Sequence, residues 1–96
     1  MPIFARVEDD DRRGDPRYYV DLPTVLLESE RCSEQVMIVN VARLGFLART
    51  RLIYRTGEPV SIELPGLGLL RSRIIWCRSG FVGGQFLRPI DPLELA

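Results

Sequence analysis

Nowhere in this chain do apolar residues recur at helical spacing for more than about two turns. Short runs of β-formers recur instead, about ten residues apart, and glycine or proline closes most of them. The first, "YYVDLPTVLLES" (18–29), carries Pro23, which marks a bulge or an edge position. "EQVMIVNVA" (34–42) is dense in β-branched residues. "RLG" (43–45) reads as a turn with Gly45 at positive φ, and "FLARTRLIY" (46–54) as the third strand. After a turn at Gly57 and Pro59, Val60, Ile62 and Leu64 alternate with Ser61 and Glu63, the pattern of a half-buried strand. Gly66 and Gly68 turn the chain into "LLRSRIIWCR" (69–78), and Ser79-Gly80 turns it into "FVGGQFL" (81–87). The tail "PIDPLELA" holds at most a short helical turn. The expected fold is all-β: a small six-stranded antiparallel barrel, because closure removes the open edges of so small a sheet.

Composition narrows the function. The chain has 96 residues, enough for one domain, and 46% of them are apolar, which favours a packed core over disorder. Thirteen basic residues, all arginine, balance thirteen acidic ones, so the net positive excess of a general nucleic-acid binder is missing. Without histidine there is no His-based acid–base catalysis, no Ser-His-Asp triad and little scope for zinc. Cys32 and Cys77 stand far apart, and Cys77, within "IIWC", is expected to be a buried small hydrophobe. A Cys32–Cys77 disulfide stays open on the sequence. The N-terminus "MPIFARVEDDD" lacks the apolar stretch of a secretory leader, and no apolar run is long enough for a membrane span. The expected compartment is the cytoplasm, and the expected protein is not an enzyme.

Two motifs carry chemistry. Residues 1–16 read as a flexible arm leading into a barrel over 17–96. At the junction, "DDRRGDPRYYV" holds Arg12, Arg13 and Arg17, with Arg13 and Arg17 in an Arg-x-x-x-Arg spacing. In a loop, two guanidiniums at that spacing can converge on one anion, each making paired hydrogen bonds to a phosphate or to a guanine edge. On surfaces such runs also serve simply as solvated charge. The second motif, Asn40-x-Ala42-x-x-Gly45, sits where a strand runs into a tight turn. Asparagine both donates and accepts there, and glycine permits close backbone approach.

An arginine arm, a strand, a second strand ending in Asn-x-Ala-x-x-Gly, and four more strands resemble the PilZ domain family over about residues 12–86. "GEPVSIELP", "IIW" and "GGQFL" are similar to the family in the same order. The resemblance implies a six-stranded barrel that binds cyclic di-GMP as a regulatory module without catalysis or other cofactor. It implies that Arg13 and Arg17 clamp phosphates and guanine edges, that Arg12 influences how many ligand molecules are held, that Asn40 contacts a guanine, and that Gly45 shapes the turn beside the ligand. Ala42 stands where the family has serine. The lost hydroxyl implies binding weakened by about threefold to a hundredfold. The resemblance also implies a partner protein, not identifiable from the sequence, whose docking surface changes as the arm closes, and a monomer or ligand-dependent dimer. A PilZ-like adaptor that has lost its nucleotide is the alternative; a small-barrel nucleic-acid binder is a third.

Outside the motifs, Trp76 is expected in the core. Tyr18 and Tyr19 should point one inward and one outward, and Arg71 and Arg73 should share a face, solvated or paired with Glu63.

Overall fold

Seven strands and one short helical turn build the protein. They are β1 (Val7–Asp10), β2 (Asp15–Leu27), β3 (Ser33–Val41), β4 (Gly45–Arg49), β5 (Pro59–Leu64), β6 (Gly68–Arg78), β7 (Phe81–Phe86) and a 3-10 turn, Pro92–Glu94. The computed structural model describes residues 7–10, 15–29 and 31–95. Every ladder is antiparallel, in the order β1-β2-β3-β4-β7-β6-β5. Strand β2 returns to pair with β5 at Leu26↔Ile62 and Leu27↔Ser61. That pairing closes β2–β7 into the six-stranded barrel, and β1 lies outside it as an added strand.

The alternation read from the sequence builds the interior. Val36, Ile38 and Val41 of β3, Phe46 and Ala48 of β4, Val60, Ile62 and Leu64 of β5, and Val82 and Phe86 of β7 all point inward and are buried. Leu22 and Leu26 of β2 and Ile74 of β6 complete the ring. Phe46 and Phe86 meet with ring centroids 5.8 Å apart and planes tilted by 37°. The tail forms its expected turn: Asp91 caps it by accepting from the Leu93 N–H, 3.0 Å, and Pro92 opens it.

The structure departs from the sequence reading at five places. Part of the segment read as an arm is strand, since Val7–Asp10 pairs with Asp15–Tyr18. Gly45 is not at positive φ; that conformation falls to Gly57, Gly66, Gly68, Ser79 and Gly80. Ser79-Gly80 thus forms the two-residue turn whose twist suits a hairpin. The third strand stops at Arg49, and residues 50–58 form a loop. Trp76 is 37% exposed and lies on the outer face, not in the core. The cause is a bulge in β6: Ile74 faces Gly84 and Trp76 faces Gly83, so Ile75 is an extra residue that reverses the alternation. Finally, Cys77, expected to be buried, is half-buried against the core; it and the exposed Cys32 are free thiols, which answers the disulfide question the sequence leaves open.

A long-range contact explains why the third strand ends early. The Glu34 carboxylate on β3 accepts from Thr50 Oγ1 at 2.6 Å, from the Arg51 N–H at 2.6 Å and from the Tyr54 hydroxyl at 2.8 Å. These bonds pull the chain off the sheet after Arg49 and seat Tyr54 in the core. Burial alone would raise the Glu34 pKa, but the hydrogen bonds from Thr50, Arg51 and Tyr54 outweigh it and hold the carboxyl below its ordinary value. A folded-state pKa below the unfolded one contributes stability at pH above about 4.3, lost as pH falls through the folded value. Glu34→Ala is therefore expected to cost about 2–4 kcal/mol at neutral pH, chiefly through unsatisfied partners. In urea titrations at pH 7 and pH 3 the variant should differ less from wild type at pH 3. An equal deficit at both would show that the charge is not what matters.

Candidate functional site

The outer surface of β3, β4, β7 and β6 carries a depression of about 320 Å³. Its lining brings together Arg17, Asn40, Ala42 and Gly45, four residues that the two sequence motifs single out. Arg12 and Arg13 lie outside the described residues. Leu44, Leu47, Ile75, Trp76, Gly83 and Gln85 also line it.

Local register explains how these groups meet. In β3, Val39 is an extra residue between the Ile38↔Ala48 and Asn40↔Leu47 pairs. This bulge turns Asn40 to the outer face, beside Val41, which packs inward against Phe46's strand. A matching irregularity in β2 leaves Tyr19 opposite Asn40 and Tyr18 opposite Val41. The two tyrosines thus take opposite faces, and both are half-buried. One row of partners runs across the sheet as Tyr19, Asn40, Leu47, Gly83 and Trp76. Asn40 is only 6% exposed, so its amide is a directional group in a largely dry setting.

Glycines make the floor. A Cβ on Gly83 would lie 2.6 Å from Trp76 Nε1, so the indole rests directly over that backbone. A Cβ on Gly45 would run into the carbonyl oxygen of Gly84. Gly45 is therefore glycine because two backbones approach there, not because of its own φ. The turn before it is held at three points: Ala42 N–H donates to the Gly45 carbonyl at 2.9 Å, Phe86 N–H to Leu44 at 2.8 Å, and Ile90 N–H to Arg43 at 2.9 Å. Arg43 itself is exposed and is not part of the lining.

The lining has the chemistry of a site for a planar, polar-edged group next to an anion. Arg17 supplies a cationic fork, Asn40 and Gln85 supply amides, and Trp76, Leu47 and Ile75 supply an apolar wall. The volume is at the low end for small-molecule sites, which suits one base with its phosphate. Trp76 and Gln85 were not singled out in the sequence. The bulge that exposes Trp76 has no signature in "IIWC", and Gln85 looks like any outward residue of a strand.

Arg71 and Arg73 do share the outer face of β6, as their spacing implies, but Arg73 Nη1 donates to the Gly57 carbonyl at 3.0 Å rather than reaching for Glu63. A second hollow, lined by Glu28, Ile53, Arg55, Thr56, Gly57 and Glu58, is wider and more open. There Glu28 and Glu58 share a hydrogen bond, which together with their mutual repulsion raises Glu28, while that bond and the Arg55 N–H lower Glu58. It sets two carboxylates beside one guanidinium, Arg55, with an exposed Ile53, and gathers none of the motif residues.

Among the described residues no helix is long and apolar enough to cross a membrane. Neither a scan against protein-family models nor a search of curated proteins found a match for this chain.

Proposed function

We propose that this protein is a cytoplasmic, non-catalytic receptor module that binds cyclic di-GMP on the outer face of its barrel and so alters a surface for a partner protein. One observation carries the reading: Arg17, Asn40, Ala42 and Gly45, spread over more than a quarter of the chain, converge on a single depression walled by Trp76. The resemblance of the motifs to the PilZ family supplies the ligand. Arg17 holds a phosphate or guanine edge, the Asn40 amide reads a base, and Gly45 keeps the turn close enough for both. Arg12 and Arg13 are assigned by the resemblance alone.

Calorimetric titration with cyclic di-GMP, with GTP and cyclic AMP as controls, tests this. Saturable binding is expected, weakened by about ten- to a hundredfold in Arg17→Ala, since a charge-assisted contact is worth about 1.5–3 kcal/mol. Arg17 is exposed, so that variant should melt like wild type. Ala42→Ser should tighten binding by about threefold or more. Absence of heat with all three nucleotides would leave the adaptor reading, which the missing hydroxyl at Ala42 favours.

A further inference from the structure

The strands β4, β7 and β6 contain no aspartate or glutamate, yet they carry Arg49, Arg71, Arg73 and Arg78, all exposed. In a chain of zero net charge, such segregation leaves one sheet face locally cationic. Register sets Arg49, Phe81 and Arg78 in one row across the three strands. The Arg49 guanidinium lies 5.6 Å from the Phe81 ring centroid, and that of Arg78 lies 5.5 Å from the Trp76 ring. Stacking of this kind fixes the plane of a guanidinium and leaves its N–H rim for a carboxylate. Strand spacing puts the two forks about 10 Å apart. Arg71 and Arg73 lie about 7 Å from each other further along β6, on the other side of the Ile75 bulge and about 16 Å or more from Arg78.

We propose that this face docks an acidic, extended segment of a partner protein, with carboxylates at alternate positions meeting the arginines of β4 and β6. The 7 Å repeat along β6 matches the same-face repeat of an extended strand. A nucleic acid is the poorer fit, because its affinity grows with net positive charge over a long track, and this chain has none in excess. A short acidic segment needs only the local patch. Trp76 both carries Arg78 and lines the depression, so occupancy there would shift how Arg78 is presented. That link rests on the nucleotide reading above; the docking face does not.

The test uses fluorescence anisotropy with the full chain and a labelled peptide alternating Glu and Thr, its Gln–Thr counterpart, and labelled single-stranded oligo-dT. The acidic peptide should bind saturably and lose affinity as salt rises. Arg49→Glu with Arg78→Glu should weaken it at least about tenfold, because like charges then face each other, while the variant still melts cooperatively, its Tm lowered only by the loss of two exposed cation–π contacts. Arg17→Ala should leave peptide binding unchanged, which separates this surface from the nucleotide site. Equal binding of the Gln–Thr peptide, preference for oligo-dT, an unaffected charge-reversal variant, or loss of self-association in that variant as its main effect would each overturn the proposal.

Discussion

Gly84→Val is expected to lose about 3 kcal/mol or more of folding stability. Gly84 faces inward on β7, and a Cβ there would fall inside the contact distance of Cε2 and Cζ of Phe46. The ring cannot simply swing away, because Phe86 sits against it at 5.8 Å and the surrounding core is closed. Either the β4–β7 ladder opens or Phe46 leaves its rotamer, and both are costly in an interior packed at crystal-like density. In a domain of this size, a loss of that order lowers Tm by roughly 12 °C or more. Thermal melts of Gly84→Ala and Gly84→Val would check it. A shift of a degree or two for valine would mean that Phe46 has room to move and that the aromatic pair is loosely held.

Gly45→Ala is the sharper case, since two opposed effects meet at one residue. Gly45 has an ordinary φ, so alanine is conformationally acceptable there and would reduce the freedom of the unfolded chain, a gain of about 0.4–1 kcal/mol. Against this stands a Cβ directed into the Gly84 carbonyl oxygen, and backbone cannot yield as a flexible side chain can. The clash should win, with a net loss of about 2–4 kcal/mol. Separating β4 from β7 at that point also shifts Leu44 and Gln85, two lining residues, so nucleotide affinity should fall along with stability. Equilibrium unfolding in urea decides the sign. A more stable alanine variant would show that the two backbones are not in the close contact described.

These glycines also show what the chain discloses about itself. That Gly45 mattered was legible; why it mattered was not, because the carbonyl it accommodates lies 39 residues further along. Strands with strict alternation, such as Pro59–Leu64, could be read directly, and the Gly/Ser turns at 66–68 and 79–80 marked their ends. Bulges broke the reading. Val39 and Ile75 each insert one residue, and beyond each the inward and outward sets exchange. "IIWC" therefore looked like a buried run when it places an indole on the surface. The early end of β4 was hidden too, since it depends on Glu34, sixteen residues before Thr50. Arg17, Asn40, Ala42 and Gly45 came from motif spacing, and the rest of the depression only from the register that brings β6 and β7 alongside them.

The barrel's closure has a consequence for how it assembles and fails. The β4–β7 and β2–β5 pairings both join distant parts of the chain, but β4–β7 is held by five residue pairs, whereas the β2–β5 seam rests on two, about 35 positions apart, and on a bond from Thr24 Oγ1 to the Glu63 carbonyl. Loop-closure entropy makes such a seam the last part to zip during folding and the first to part in the native state. When parted, the molecule is a curled sheet with two raw lips, β2 and β5, ready to template other chains. Each lip carries a proline, Pro23 and Pro59, which removes one amide donor. Those two residues act as guards against polymerisation, built into the edges that the latch exposes.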